Sequence, residues 1–146
     1  MQQDAGITAV AHAIQLAVAP VFLLSGVGAM LAVLTNRLSR IIDRSRVLET
    51  QLATSPPEVG AGMHTELQTL SRRAKLISHA ITFCTITALL VCAVIASMFV
   101  GAFVRFDTAV LVALLFVAAM LALFVGLLSF IREIFIATAN LRIGPH

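Results

Sequence analysis

The chain has no tryptophan, no tyrosine, only two cysteines, and charge at just 12% of its 146 positions. Each scarcity excludes something. So little charge, beside 60% hydrophobic residues and a mean hydropathy of +1.01, excludes an ordinary soluble domain, where about a quarter of residues are charged. It also excludes a disordered chain, which needs low hydrophobicity and high charge. Without Trp and Tyr, the usual aromatic belt at a membrane boundary is missing. Phe99, Phe103 and Phe106 near one boundary, and Phe130 and Phe135 near the other, either replace it without a polar tip or face lipid and packing partners. On a helix, Cys84 and Cys92 stand about 12 Å apart along the axis, too far for a mutual disulfide. They have no metal-binding spacing and read as small membrane-buried residues.

What the chain does contain is three charge-free stretches, at 5–36, 76–104 and 108–131. About 20 apolar residues cross a bilayer core of about 30 Å, so each stretch qualifies. The expected fold is all-α and integral to the membrane, a single membrane domain over 1–146 with spans near 14–35, 81–103 and 110–131. The first span does not read as a cleaved signal peptide, because Met1-Gln2-Gln3-Asp4 carries an acid and no base. Arg37, Arg40, Arg44, Arg46, Arg72, Arg73 and Lys75 lie between spans one and two, and Arg132 and Arg142 follow span three. Of the ten basic residues only Arg105 falls on the other side. This positive-inside bias puts residues 37–75 and the C-terminus in the cytoplasm. It puts the N-terminus and the short turn at 105–107 outside.

Residues 37–75 read as an antiparallel helical hairpin. Leu38, Ile41, Ile42, Leu48 and Leu52, with Ser45, form one apolar stripe at spacings of three and four. Nothing between Thr35 and Leu52 breaks a helix, so span one is expected to continue inward as one rod. Met63, Leu67, Leu70, Ala74 and Ile77 make a heptad-like seam on the second arm. Between the arms, Pro56, Pro57, Gly60 and Gly62 are expected to turn the chain. Asp43 is spaced to pair with Arg40 or Arg46.

A second stripe on the first helix bears on function. At about 100° per residue, one face collects His12, Gln15, Ala19, Phe22, Gly26, Met30, Val33, Arg37, Arg40 and Arg44. It is polar at the outer mouth, small and apolar within the membrane, and basic inside. Symmetric copies would set polar rings at a mouth, an apolar constriction that gates by dewetting, and arginine rings that repel cations. In pattern alone this order resembles the pore helix of store-operated calcium channels. The competing reading has the arginines snorkelling to lipid phosphates or binding anionic lipid. Ser25, Gly28 and Ala32 make a small-residue face for close helix packing. Pro20 removes one backbone hydrogen bond and is either a hinge or a fixed bend. Thr82, Thr85 and Thr87 are expected to bond their own helix carbonyls. His79 is either a pH-sensitive group or an ordinary interfacial residue.

No span contains Asp, Glu, Lys or Arg. That argues against proton pumps and many ion-coupled transporters, which rely on intramembrane charge. There is no phosphate-binding loop, no His-Glu-x-x-His, no Gly-x-Ser-x-Gly and no nucleic-acid motif. No catalytic residue, metal, cofactor or nucleic acid is expected, and the chain does not read as an enzyme.

The run Ile14-Gln15-Leu16-Ala17-Val18-Ala19-Pro20-Val21-Phe22-Leu23-Leu24-Ser25-Gly26-Val27-Gly28-Ala29-Met30-Leu31 resembles a bacterial membrane family catalogued as domain of unknown function 2721. So does Leu34-Thr35-Asn36-Arg37-Leu38-Ser39-Arg40-Ile41-Ile42-Asp43-Arg44, as do Glu66-Leu67, Arg72-Arg73-Ala74 and Leu89-Leu90-Val91-Cys92. The resemblance covers nearly the whole chain and implies a small bacterial multi-span protein of the inner membrane. It brings no catalytic residues and no activity. Three spans cannot enclose a conduit within one chain, so a channel would be a symmetric homo-oligomer. The first expectation is therefore a homo-oligomeric, anion-favouring channel for small ions, with the first helix lining the axis. The alternative is a non-conducting structural or regulatory membrane protein whose hairpin binds a protein partner or anionic lipid.

Overall fold

The computed structural model describes residues 1–104 and 106–141. Arg105 and Arg142, two of the ten basic residues behind the expected orientation, lie outside the described residues. Three helices make up the fold: α1 (Gln2–Thr54), α2 (Pro57–Val104) and α3 (Ala109–Leu141). Each contains a stretch long and apolar enough to cross a membrane, and among the described residues there is no strand. The protein is all-helical, with three apolar helices of a multi-pass membrane protein. The expected spans all lie within these longer rods, and span one does run on without a break to Thr54.

The first turn is shorter than its prolines and glycines predict. Only Ser55 and Pro56 are non-helical. Pro57 starts α2, where its missing N–H would be unpaired in any helix. Ser55 Oγ donates to the Gln51 carbonyl at 2.7 Å, and the Val59 N–H donates to the Pro56 carbonyl at 3.2 Å. Gly60 and Gly62 are helical after all. The glycine penalty of about 1 kcal/mol in a helix is offset by packing at Gly60, buried close to Leu52, whereas Gly62 is exposed. The second turn is capped by Asp107, whose Oδ1 accepts from the Ala109 N–H at 3.2 Å. Here a glycine is needed: a Cβ at Gly101 would lie 2.5 Å from Thr108 Oγ1.

Contacts group the chain into two compact units. One joins Met1–Leu31 to Phe83–Phe124. Its buried residues are mostly small: Ala13, Ala17, Pro20 and Val27 on α1, Cys84, Thr87, Val91 and Val94 on α2, and Ala119 on α3. Cys92, by contrast, is exposed. Small side chains let helices approach where lipid supplies no hydrophobic driving force. Thr87 Oγ1 donates to its own helix at Phe83 O (2.8 Å) and shares that hydrogen with Ala119 O on α3 (3.3 Å). Thr82, in the other unit, likewise bonds its own helix at the Ser78 carbonyl. Thr87→Val keeps the shape and removes the link. It is expected to lower thermal stability by roughly 0.5–1 kcal/mol, read as the unfolding midpoint by circular dichroism in neutral detergent.

The other unit joins Ala32–Thr82 to Val125–His146, described as far as Leu141. Its core is built on sevens: Leu34, Ile41 and Leu48 on α1, and Leu70 and Ile77 on α2, are buried. Leu38, Ser45 and Leu52 flank them half-buried. This is the a/d pattern of paired helices. Ile42, expected in the stripe, is instead exposed, because a seam repeating every seven residues leaves room for one residue of the Ile41-Ile42 pair. The arms face each other at Leu52–Gly60 and at Arg44–Glu66, stepping back along both helices as an antiparallel hairpin does. Arg44 Nε and Nη2 reach Glu66 Oε1 at 3.1 and 2.9 Å. With both partners about half exposed (54% and 44%), the pair is worth at most about 1 kcal/mol. The expected pairing of Asp43 with Arg40 or Arg46 is absent among the described residues.

Candidate functional site: arginines around a buried glutamate

Glu133 sits on α3 between Arg132 and Ile134 and has no solvent exposure at all. A carboxylate removed from water costs several kcal/mol unless charge and hydrogen bonds replace its hydration. Here α2 supplies them. Arg73 directs both Nε and Nη2 onto Oε1, at 3.0 and 2.9 Å. Oε2 makes no hydrogen bond, and Arg37 Nη1 of α1 stands 3.6 Å from it. The Arg37 guanidinium also lies over the Phe130 ring, 5.3 Å from its centre. That contact adds about 0.5–2 kcal/mol depending on hydration. Phe130 and Glu133 are three apart on α3, so one helix face presents ring and carboxylate together. Three helices thus contribute one charged group each to a single triad.

Two clefts border the triad. One, of about 440 Å³, is lined by Val33, Asn36, Arg37, Arg40, Ile41, Arg44, Leu70 and Arg73. The other, of about 790 Å³, includes Arg37, Arg44, Arg73, Thr65, Glu66, Thr69 and Asn140. Four arginines therefore meet two acids, Glu66 and Glu133, and the surplus positive charge falls in the first cleft. Arg40 has no ion pair or hydrogen bond among the described residues.

The sequence-derived residues divide between the two units. In the first, His12, Gln15, Ala19, Phe22 and Gly26 are exposed and Met30 is half-buried. In the second, Val33, Arg40 and Arg44 are exposed and Arg37 is half-buried. The stripe is thus mostly outside the packing within the chain, but two of its arginines already serve acids of the same chain. Ser25, Gly28 and Ala32 are exposed as well, and a side chain at Gly28 would meet nothing within 4 Å. Among the described residues no helix packs on that small-residue face. Ser25 Oγ is satisfied locally by the Val21 carbonyl at 3.2 Å. Pro20 is buried inside the uninterrupted α1. His79 Nδ1 pairs with the Lys75 carbonyl of its own helix at 2.7 Å. Glu133 escaped the sequence reading altogether. Its one local signal is an acid, next to Arg132, within the otherwise apolar run Phe130-Ile131 and Ile134-Phe135-Ile136.

The family model described as protein of unknown function (DUF2721) matches residues 17–143. The chain belongs to that family. The match takes in α1 from Ala17 onward, all of α2 and all of α3, so every member of the triad and every arginine of the cleft lies inside the family segment. His12 and Gln15 lie before it. No curated protein and no solved structure matches the chain.

Proposed function

We propose that the protein is the protomer of a homo-oligomeric membrane channel whose α1 lines the axis. The observation that carries this reading is the outward face of α1. Gln15, Ala19, Phe22 and Gly26 are exposed along one face of a helix built to cross hydrocarbon, with His12 at the outer mouth of the same face. Polar side chains and bare backbone are poorly served by lipid tails, and further copies of the chain would cover them. Phe22, 73% exposed, and Val33 would form the apolar constriction. The basic end differs from a simple stack of arginine rings. Arg44 is paired with Glu66 and Arg37 shares the one charge of Glu133 with Arg73, so an anion preference rests on Arg40 and on the single net positive charge the triad keeps. Purified protein in liposomes, with its oligomeric state established by cross-linking, should pass small ions. Oligomers that pass none would overturn the reading.

The arginine cleft favours a second reading, in which the protein does not conduct and its hairpin holds an anionic partner for structural or regulatory ends. This reading expects an anionic ligand and no flux from the same liposomes.

A further inference from the structure

We propose that the cleft between Arg37, Arg40, Arg44 and Arg73 is a binding site for a phosphate group. This inference rests on the second reading above and narrows its ligand to one chemistry; it does not depend on conduction. Arg73 and Arg44 are each held by a carboxylate through Nε and Nη2. Their Nη1 donors have no partner among the described residues. The Arg73 guanidinium is therefore held in place by a buried acid before any ligand arrives, and Arg44 more weakly by a half-exposed one, which lowers the entropy lost on binding. Arg40 borders the same cleft with its full set of donors unused. Planar guanidiniums suit phosphate oxygens better than a point charge does.

The space is of the right order. A volume of about 440 Å³ lies within the usual range for small-ligand sites, roughly 300–1,000 Å³, and admits a phosphate with the group esterified to it. The cleft also has an apolar side. Val33 belongs to the charge-free stretch of α1, and Asn36 ends it. A phospholipid headgroup at a membrane surface and a soluble phosphate compound offer the same oxygens, and the test separates them.

The full chain in neutral detergent is titrated with phosphatidic acid, inorganic phosphate or sodium chloride at equal ionic strength. The unfolding midpoint, read by circular dichroism, rises with any ligand that prefers the folded state. A phosphate probe should raise it beyond chloride. Phosphatidic acid acting alone identifies a lipid headgroup; inorganic phosphate acting as well identifies a soluble phosphate ligand. R40Q, which removes an unpaired and exposed side chain, should keep its spectrum and ligand-free midpoint while binding the effective probe about ten- to a hundred-fold more weakly. R72Q removes an exposed basic residue that lines neither cleft and should bind as the native chain does. Equal loss in R40Q and R72Q would overturn the site in favour of diffuse attraction. Lipid stabilisation that survives R40Q would overturn this site and leave the second reading standing. No effect of either phosphate probe would overturn the site, while ion flux through the same protein in liposomes would overturn the second reading.

Discussion

Arg73→Met is expected to lower the stability of the folded chain by about 3–5 kcal/mol, the usual cost of removing one partner from a buried ion pair. Glu133 is fully buried, and both hydrogen bonds to Oε1 come from Arg73. Without them the carboxylate keeps only Arg37, at 3.6 Å from Oε2 and without a hydrogen bond. The unfolding midpoint in neutral detergent measures the loss. Adding Glu133→Leu to Arg73→Met should recover most of it, because replacing a buried pair by apolar groups of similar volume is often neutral or stabilising. Arg37 would remain, 34% exposed and still over Phe130, with water at hand. A double variant no more stable than R73M alone would show that the buried carboxylate is not the source of the penalty.

The contrast explains which parts of the fold could be read from sequence. The spans were legible because hydrocarbon imposes a single requirement, about 20 apolar residues in a row. Each stretch carries that information within itself. The unbroken α1 was legible for the same local reason, having no breaker between Thr35 and Leu52. The turn was legible in place but not in extent. Pro57 suits the first position of a helix as well as it suits a loop, and only the packing of Gly60 near Leu52 decides between them.

Glu133 was illegible because nothing near it in the chain makes it a site. Its main partner is 60 residues away on another helix. Sequence arithmetic sorts charges by distance from a span end, and by that measure Glu133 is an ordinary residue of the tail. Arg44 shows the same limit. Local spacing offered Asp43 to Arg40 and Arg46, yet the ion pair that forms crosses the hairpin to Glu66. The two stripes on α1 also follow the same rhythm of three and four. Which one is buried depends on where α2 and α3 lie, and that is a property of the fold rather than of either stripe.

Arg37→Glu and Arg40→Glu are expected to part company sharply, although the two positions share one stripe. In R37E a second carboxylate would stand beside Glu133 Oε2, the cation over Phe130 would be gone, and Arg73 alone would face two acids. Two like charges about 4 Å apart repel by about 4 kcal/mol at the effective dielectric of a protein. That repulsion adds to the lost attraction. The variant should fall below R73M in stability and accumulate poorly in the membrane fraction, measured by immunoblot against the native chain. R40E changes an exposed, unpaired side chain and should accumulate normally. If α1 lines a conducting axis, R40E should shift the anion-to-cation permeability ratio by at least about tenfold, since focused charge changes local ion concentration by that order or more. The reversal potential of reconstituted protein reads this directly. An abundant, stable R37E would overturn the triad as a packing element. An unchanged reversal potential in a conducting R40E assembly would take Arg40 off the axis and leave its charge to the cleft.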